Sequence, residues 1–336
     1  MLVTSPIYFY IPQRQWPKPH LLADANVYWQ WQNSLRYGQG RYNWTLQTYL
    51  QLRDQDFPCE LVGTLPESGI ILAHSDFFPD NLKPNAQQLL VCLRADRNHH
   101  PYAQLHVIQN RQDAMTQWSS SLWPVAYMPH WPQSGLIPRN QARGDRFETV
   151  AFFGQEGNLA PELKATTWAA QITSLGLNWS ITPFERWHDY SDVDVVIAVR
   201  SFDHNPYNQK PASKLYNCWH SGVPAILGPE AAYQAERQSD LDYVEVRTPA
   251  EALAALKRLR DDLALRQAII HQGRRRAQET SPAALSAQWG SFLTQIAVPA
   301  YEHWVSLPTQ QQHHCLQQRN FRHQVQKAKS RLGIVS

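Results

Sequence analysis

Short apolar runs recur along this chain, separated by longer polar or amphipathic stretches, and that spacing constrains its fold more than any other feature. In the first half, residues 7–11, 60–63, 69–74, 88–93 and 105–108 have the length and bounding residues of strands. Residues 149–153, 178–182, 193–199, 225–227 and 243–246 do the same in the second half. The run 193–199 is almost continuously apolar, as a strand buried on both faces must be. Helical periodicity falls between such runs, at 42–53 (with Leu46, Tyr49 and Leu50 on one face), 161–175, 214–221, 249–260 and 263–279. Strands alternating with helices predict α/β architecture with parallel, doubly wound sheets.

At 336 residues the chain is twice the length of a common domain, so two domains are expected. Residues 123–146, with Pro124, Pro129, Pro132 and Pro138, read as the connection between them. The expected division is a first Rossmann-like domain at 1–140, a second at 146–300, and a basic helical tail at 301–336. A hydrophobic content of 43% supplies ordinary cores, and a net charge of +3 gives no reason to expect a nucleic-acid partner. Cys59, Cys92, Cys218 and Cys315 form no CxxC pair, which argues against a zinc or disulfide scaffold and fits a reducing cytoplasm. His313-His314-Cys315 has no second ligand pair nearby, so no metal is expected. Residues 1–12 lack the basic and apolar regions of a secretory signal, and no apolar run is long enough to span a membrane.

The strongest local signal is Lys210-Pro211-Ala212-Ser213-Lys214-Leu215, followed by Gly222-Val223-Pro224-Ala225-Ile226. Pro211 and Ser213 suit a helix start, with Ser213 as its N-cap. A helix N-terminus presents free N–H groups and the positive end of a dipole, so it attracts phosphate. Lys210 and Lys214 add cations there, and Arg200 follows the strand at 193–199. Two solvated lysines and a well-formed turn would read the same way in sequence.

This run resembles the donor-site helix of bacterial-type GT-B-fold glycosyltransferases, most densely over residues 147–276. The resemblance implies two Rossmann-like domains facing across a cleft, with C-terminal helices able to return to the first domain. It also implies transfer of a sugar from a nucleotide-diphosphate donor to a hydroxyl acceptor, without a cofactor or metal. Arg200, Lys210, Ser213 and Lys214 would then bind the donor diphosphate, and Asn217, Glu230 and His188 the ribose and base. Two departures stand out. Gln209 and Asn217 occupy positions where many relatives carry glutamates, and Gln155 follows Gly154 where many carry arginine.

In the first domain the resemblance places a histidine near His74, against the donor sugar. Asp76 or Asp80 could serve as general base toward an acceptor hydroxyl. Gly38, Gly40 and Arg41, before the helix at 42–53, form the candidate acceptor loop. For His74 and the aspartates, a strand cap and solvated carboxylates are the competing reading. The alternative function is a non-catalytic relative that binds a nucleotide sugar or a partner, and a nucleotide-sugar epimerase ranks third. The expected location is the cytoplasm. The basic tail reads as a solvated helix or as a contact with anionic lipid at the inner membrane face.

Overall fold

The computed structural model describes residues 5–18, 21–33, 40–113, 124–203 and 205–331. They belong to two compact units, residues 1–128 with 286–336, and residues 129–285.

Unit one begins with β1 (Ile7–Tyr10), α1 (Ala25–Asn33), α2 (Gly40–Tyr42) and α3 (Thr48–Arg53). It continues through β2 (Glu60–Val62), β3 (Gly69–His74), β4 (Gln88–Leu93), β5 (Leu105–Ile108) and β6 (Val125–Tyr127). The strands form one parallel sheet in the order β2-β1-β3-β4-β5-β6. Every residue of β3, β4 and β5 is buried, which explains why these runs do not alternate with polar residues. A π-helical turn, Asn43–Gln47, joins α2 to α3 within the helix expected at 42–53. Strand β6 lies inside the stretch expected to be connector. It is short, sits on the sheet edge and follows Pro124, whose carbonyl accepts from His106 N–H at 3.1 Å.

Unit two contains β7 (Thr149–Phe153), α4 (Thr166–Ser174), β8 (Asn178–Thr182), β9 (Val195–Ala198) and α5 (Ser213–Ser221). Then come β10 (Ala225–Leu227), α6 (Ala231–Glu236), β11 (Val244–Glu245), α7 (Pro249–Asp261) and α8 (Leu263–Ala277). Its sheet is also wholly parallel, in the order β11-β10-β9-β7-β8. Helix α5 stops at Gly222, whose φ of +68° is readily adopted only without a side chain. Asp194, just before β9, accepts from Arg139, Arg143 and the backbone N–H groups of Glu148 and Thr149 at 2.7–3.0 Å. These bonds hold its carboxyl below the usual range despite burial.

Both expected domain boundaries shift. Residues 129–146 of the connector group with unit two, because Ile137, Arg139 and Asn140 donate their N–H groups to the carbonyls of His188, Ser221 and Ser191. Residues 286–300, expected in the second domain, belong to unit one. There α9 (Pro282–Phe292) sets Trp289 against Trp44, with ring centroids 6.3 Å apart. Two more helices follow in unit one, α10 (Val298–Ser306) and α11 (Thr309–Arg331). The tail is therefore not a separate segment. Gln312, Leu316 and Arg319 of α11 are buried, and Arg319 donates to the Ala103 carbonyl, while Arg322 and Lys327 are exposed. Among the described residues, no helix is long and apolar enough to cross a membrane.

Candidate functional site

In each sheet the strand order reverses once, between β1 and β3 in unit one and between β7 and β9 in unit two. The chain connections leave such a sheet in opposite directions at this point. A crevice opens there beyond the carboxyl ends of the strands, where doubly wound sheets bind ligands. His74 ends β3 beside the first of these places, and Gly154, Arg200 and the start of α5 lie at the second.

In unit two, β7 runs into Gly154, whose φ is +152°. A Cβ there would lie 3.1 Å from the Phe152 ring and 3.4 Å from Lys214 Cε, so the glycine makes room for the lysine stem. Lys214 belongs to the first turn of α5, and its Nζ is 5.6 Å from the centroid of the Phe152 ring. Burial, reinforced by the charge of Arg200, lowers its pKa to about 7. Among the described residues Lys214 forms no ion pair. The N-cap of α5 is Ala212, not Ser213, and no side chain caps this end. Ser213 is instead the first helical residue, and the helix start is left with its dipole and an adjacent lysine.

Arg200 is differently engaged than its sequence position suggests. Its Nε donates to Glu230 Oε2 at 2.9 Å and its Nη1 to Asn158 Oδ1 at 2.9 Å, and the guanidinium lies 5.7 Å from the Tyr207 ring centroid. Burial disfavours its charge, but Glu230 and the neighbouring tyrosines more than offset this, and its pKa is raised. Glu230 is the N-cap residue of α6, and its Oε1 is buried without a hydrogen-bond partner. Lys210 lies just before α5, with its N–H donated to the Tyr207 carbonyl at 2.9 Å. The expected trio of cations is thus a buried Arg–Glu pair beside two lysines. Asn158, Tyr207 and Phe152 were not foreseen, because nothing in sequence marks a loop asparagine or strand phenylalanine as the neighbour of a distant cation.

Asn217 lies one turn further along α5 and holds the connector, since its Oδ1 accepts from Gln133 N–H at 2.8 Å. It also hydrogen-bonds the buried Tyr190. His188 sits in the loop between β8 and β9, its carbonyl accepting from Ile137 N–H at 2.8 Å. In the same loop Asp189 Oδ1 accepts from both the N–H and the hydroxyl of Ser191. Burial lowers the pKa of His188.

In unit one, His74 is the last residue of β3, at the switch point, and is buried. Its Nδ1 accepts from Asp76 N–H at 3.1 Å, so the neutral ring carries its proton on Nε2. Burial lowers its pKa, and it is neutral at pH 7. In this tautomer His74 is a hydrogen-bond donor through Nε2. Asp76 is partly exposed and takes a two-nitrogen contact from Arg97, 3.1 Å at the nearest. The Phe77 ring links two candidates: Arg41 Cζ is 5.5 Å from its centroid, and the His74 ring is 6.3 Å from it. Gly40 opens α2 with open space where a Cβ would stand. Gly38 lies outside the described residues. No group of three or more His, Cys, Asp or Glu among the described residues could hold a metal ion.

Two doubly wound parallel sheets, each with polar residues at its switch point, are the architecture of GT-B glycosyltransferases. Among solved structures, the chain is similar to the pneumococcal O-GlcNAc transferase GtfA in complex with UDP and GlcNAc. That match has 10% identity and a TM-score of 0.50, covers 75% of this chain, and spans only 59% of GtfA. Sucrose-phosphate synthase from Thermosynechococcus elongatus matches at 14% identity and a TM-score of 0.47, covering 68% of this chain and 74% of that one. Anabaena HepE in complex with UDP and glucose matches at 11% identity and 0.48, covering 87% of this chain and 100% of that one. No protein-family model and no curated protein matches the chain. At such identities the shared property is the fold, and GtfA carries that assignment.

Proposed function

We propose that this protein is a glycosyltransferase that moves a sugar, a hexose by resemblance, from a nucleotide-diphosphate donor to a hydroxyl acceptor. The observation that carries the reading is Lys214, a half-buried lysine without an ion pair, at an uncapped helix start on the switch point of unit two. As the acceptor oxygen bonds to the anomeric carbon, the bond from that carbon to the phosphate oxygen breaks. Negative charge then grows on the departing diphosphate. Preorganised cations and N–H groups aimed at that charge lower the barrier, because they need not reorient as it develops. Lys214, Lys210 and the first N–H groups of α5 fill this role without added metal. Glu230 Oε1, buried and unbonded, suits a ribose hydroxyl, while Asn217 and His188 border the nucleoside.

In unit one, His74 offers an Nε2 donor to a sugar hydroxyl, and Gly40 and Arg41 are the candidate acceptor contacts. Asp76 serves as the base only if an acceptor displaces Arg97 from its carboxylate. The working location is the cytoplasm, with the exposed Arg322 and Lys327 of α11 available to a membrane surface. A thermal-shift screen of nucleoside diphosphates and their sugars tests the reading, since a ligand bound only to the native state raises Tm. We expect a shift with at least one diphosphate, and no shift with any would overturn the reading. The use of Asn217 as a connector tie favours a second reading, binding without catalysis. A diphosphate shift with neither transfer nor donor hydrolysis above background would select it.

A further inference from the structure

We propose that unit two carries a second ligand site, at the sheet edge opposite Lys214, that takes an organic anion with an apolar body. A cavity of about 1140 Å³ opens there, bordered by Phe147 before β7, Asp194 before β9, the end of α5 at Gly222, and one face of α8. Its volume is somewhat larger than that of common small-molecule pockets, about 300–1,000 Å³, so a drug-sized ligand fits. It lies at the amino ends of the strands, whereas Arg200 and Lys214 lie beyond their carboxyl ends. The proposal is independent of the donor-site reading.

The lining carries exposed apolar side chains. Ile137 is 44% exposed and Leu263 37%, and both line this cavity. Single exposed aliphatic side chains are ordinary, but two directed into one cavity form a binding surface. The lining is also cationic. On α8, Leu263, Gln267, Ile270 and Arg274 recur at intervals of three and four residues, with His271 beside Ile270, so one helix face presents aliphatic and basic side chains together.

Four arginines line the cavity, Arg139, Arg146, Arg266 and Arg274, against two carboxylates, Asp145 and Asp194. Most of these charges are already engaged. Asp194 is held by Arg139 and Arg143, and buried Arg266 donates to the carbonyls of Leu259, Arg260 and Asp145. Arg146 donates to the carbonyls of Arg143 and Ala142. Arg274 is different. It is exposed, forms no hydrogen bond or ion pair among the described residues, and lies beside Gly222 at the carboxyl end of α5. The carbonyl end of that helix favours a cation there and leaves the outer side of the guanidinium to a ligand. The ligand's anionic group therefore belongs at Arg274 and His271, and its apolar body against the aliphatic lining residues Ile137, Ile270 and Leu263.

Octyl phosphate, below its micelle concentration, is a suitable probe, with inorganic phosphate and octanol as separate arms. Binding is read by thermal shift and calorimetry on the native chain and on Arg274→Glu and Leu263→Asp. Both positions are exposed, so both variants should keep the native Tm without ligand. We expect octyl phosphate to raise Tm, each variant to weaken its binding by roughly tenfold or more, and Lys214→Met to leave the effect intact. Either single-feature arm should bind more weakly than octyl phosphate. Equal binding by both variants, loss of binding in Lys214→Met, inorganic phosphate matching octyl phosphate, or no binding of octyl phosphate would each overturn the proposal.

Discussion

The Arg200 guanidinium donates to the Glu230 carboxylate at 2.9 Å, which balances the charge of the residue nearest the end of β9. What remains beside the start of α5 is Lys214, whose ammonium has no carboxylate partner among the described residues. The energetics of the site therefore turn on one lysine more than on the arginine that the strand delivers.

Lys214→Met should separate stability from function. The folded-state pKa of about 7 lies below the unfolded value of about 10.4. The unfolded chain therefore keeps a proton that the folded chain releases across that interval, and native stability rises with pH within it. Methionine removes this penalty, so the variant should have a higher Tm at pH 7 and a smaller rise of Tm between pH 7 and 9. The shift induced by a bound nucleoside diphosphate should vanish and sugar transfer should fall by ~100-fold, the usual loss for one donor to a developing oxyanion. A lower Tm together with an intact diphosphate shift would contradict both assignments.

Diphosphate binding should be linked to a proton. An anion beside Lys214 favours its charged form, so its pKa must rise when a nucleoside diphosphate binds. Diphosphate affinity should then be greatest below pH 7 and fall as pH rises above it, with calorimetry showing proton uptake near pH 8. Lys214→Arg, which stays charged throughout, should flatten the profile. A wild-type profile that is flat from pH 6 to 9 would mean that Lys214 does not meet the diphosphate.

The Arg200–Glu230 pair should behave as one unit. Arg200→Met leaves a buried carboxylate uncompensated, at a cost of about 3–5 kcal/mol in unfolding free energy. Glu230→Leu should destabilise comparably, and the double variant by much less than the sum. Urea melts of the four proteins measure the coupling, and additive losses would show that the pair stores none.

Much of the fold was legible before the structure. Apolar runs such as 88–93 and 193–199 cannot alternate faces, which required strands covered on both sides and hence parallel sheets. The helix expected at 214–221 and its stop at Gly222 were visible too, because turns depend on neighbouring residues. Strand β6 was hidden by Pro124, and the domain boundary by hydrogen bonds from Ile137, Arg139 and Asn140 to residues far along the chain. The tail looked uniformly basic, yet Arg319 is buried on unit one, where the Ala103 carbonyl accepts a hydrogen bond from it.

By itself the sequence determined that two parallel α/β units form and that a helix begins beside Lys210 and Lys214. Periodicity, glycine and proline act over a few residues, and these are local consequences of them. Only the tertiary structure decided that Ser213 does not cap that helix, that Glu230 neutralises Arg200, and that Asn217 ties down the connector. It alone left Lys214 half-buried with its pKa near 7. Charge pairing and desolvation depend on distance through space, and residues 30 apart in sequence, as Arg200 and Glu230 are, carry no local mark of the partner they will meet.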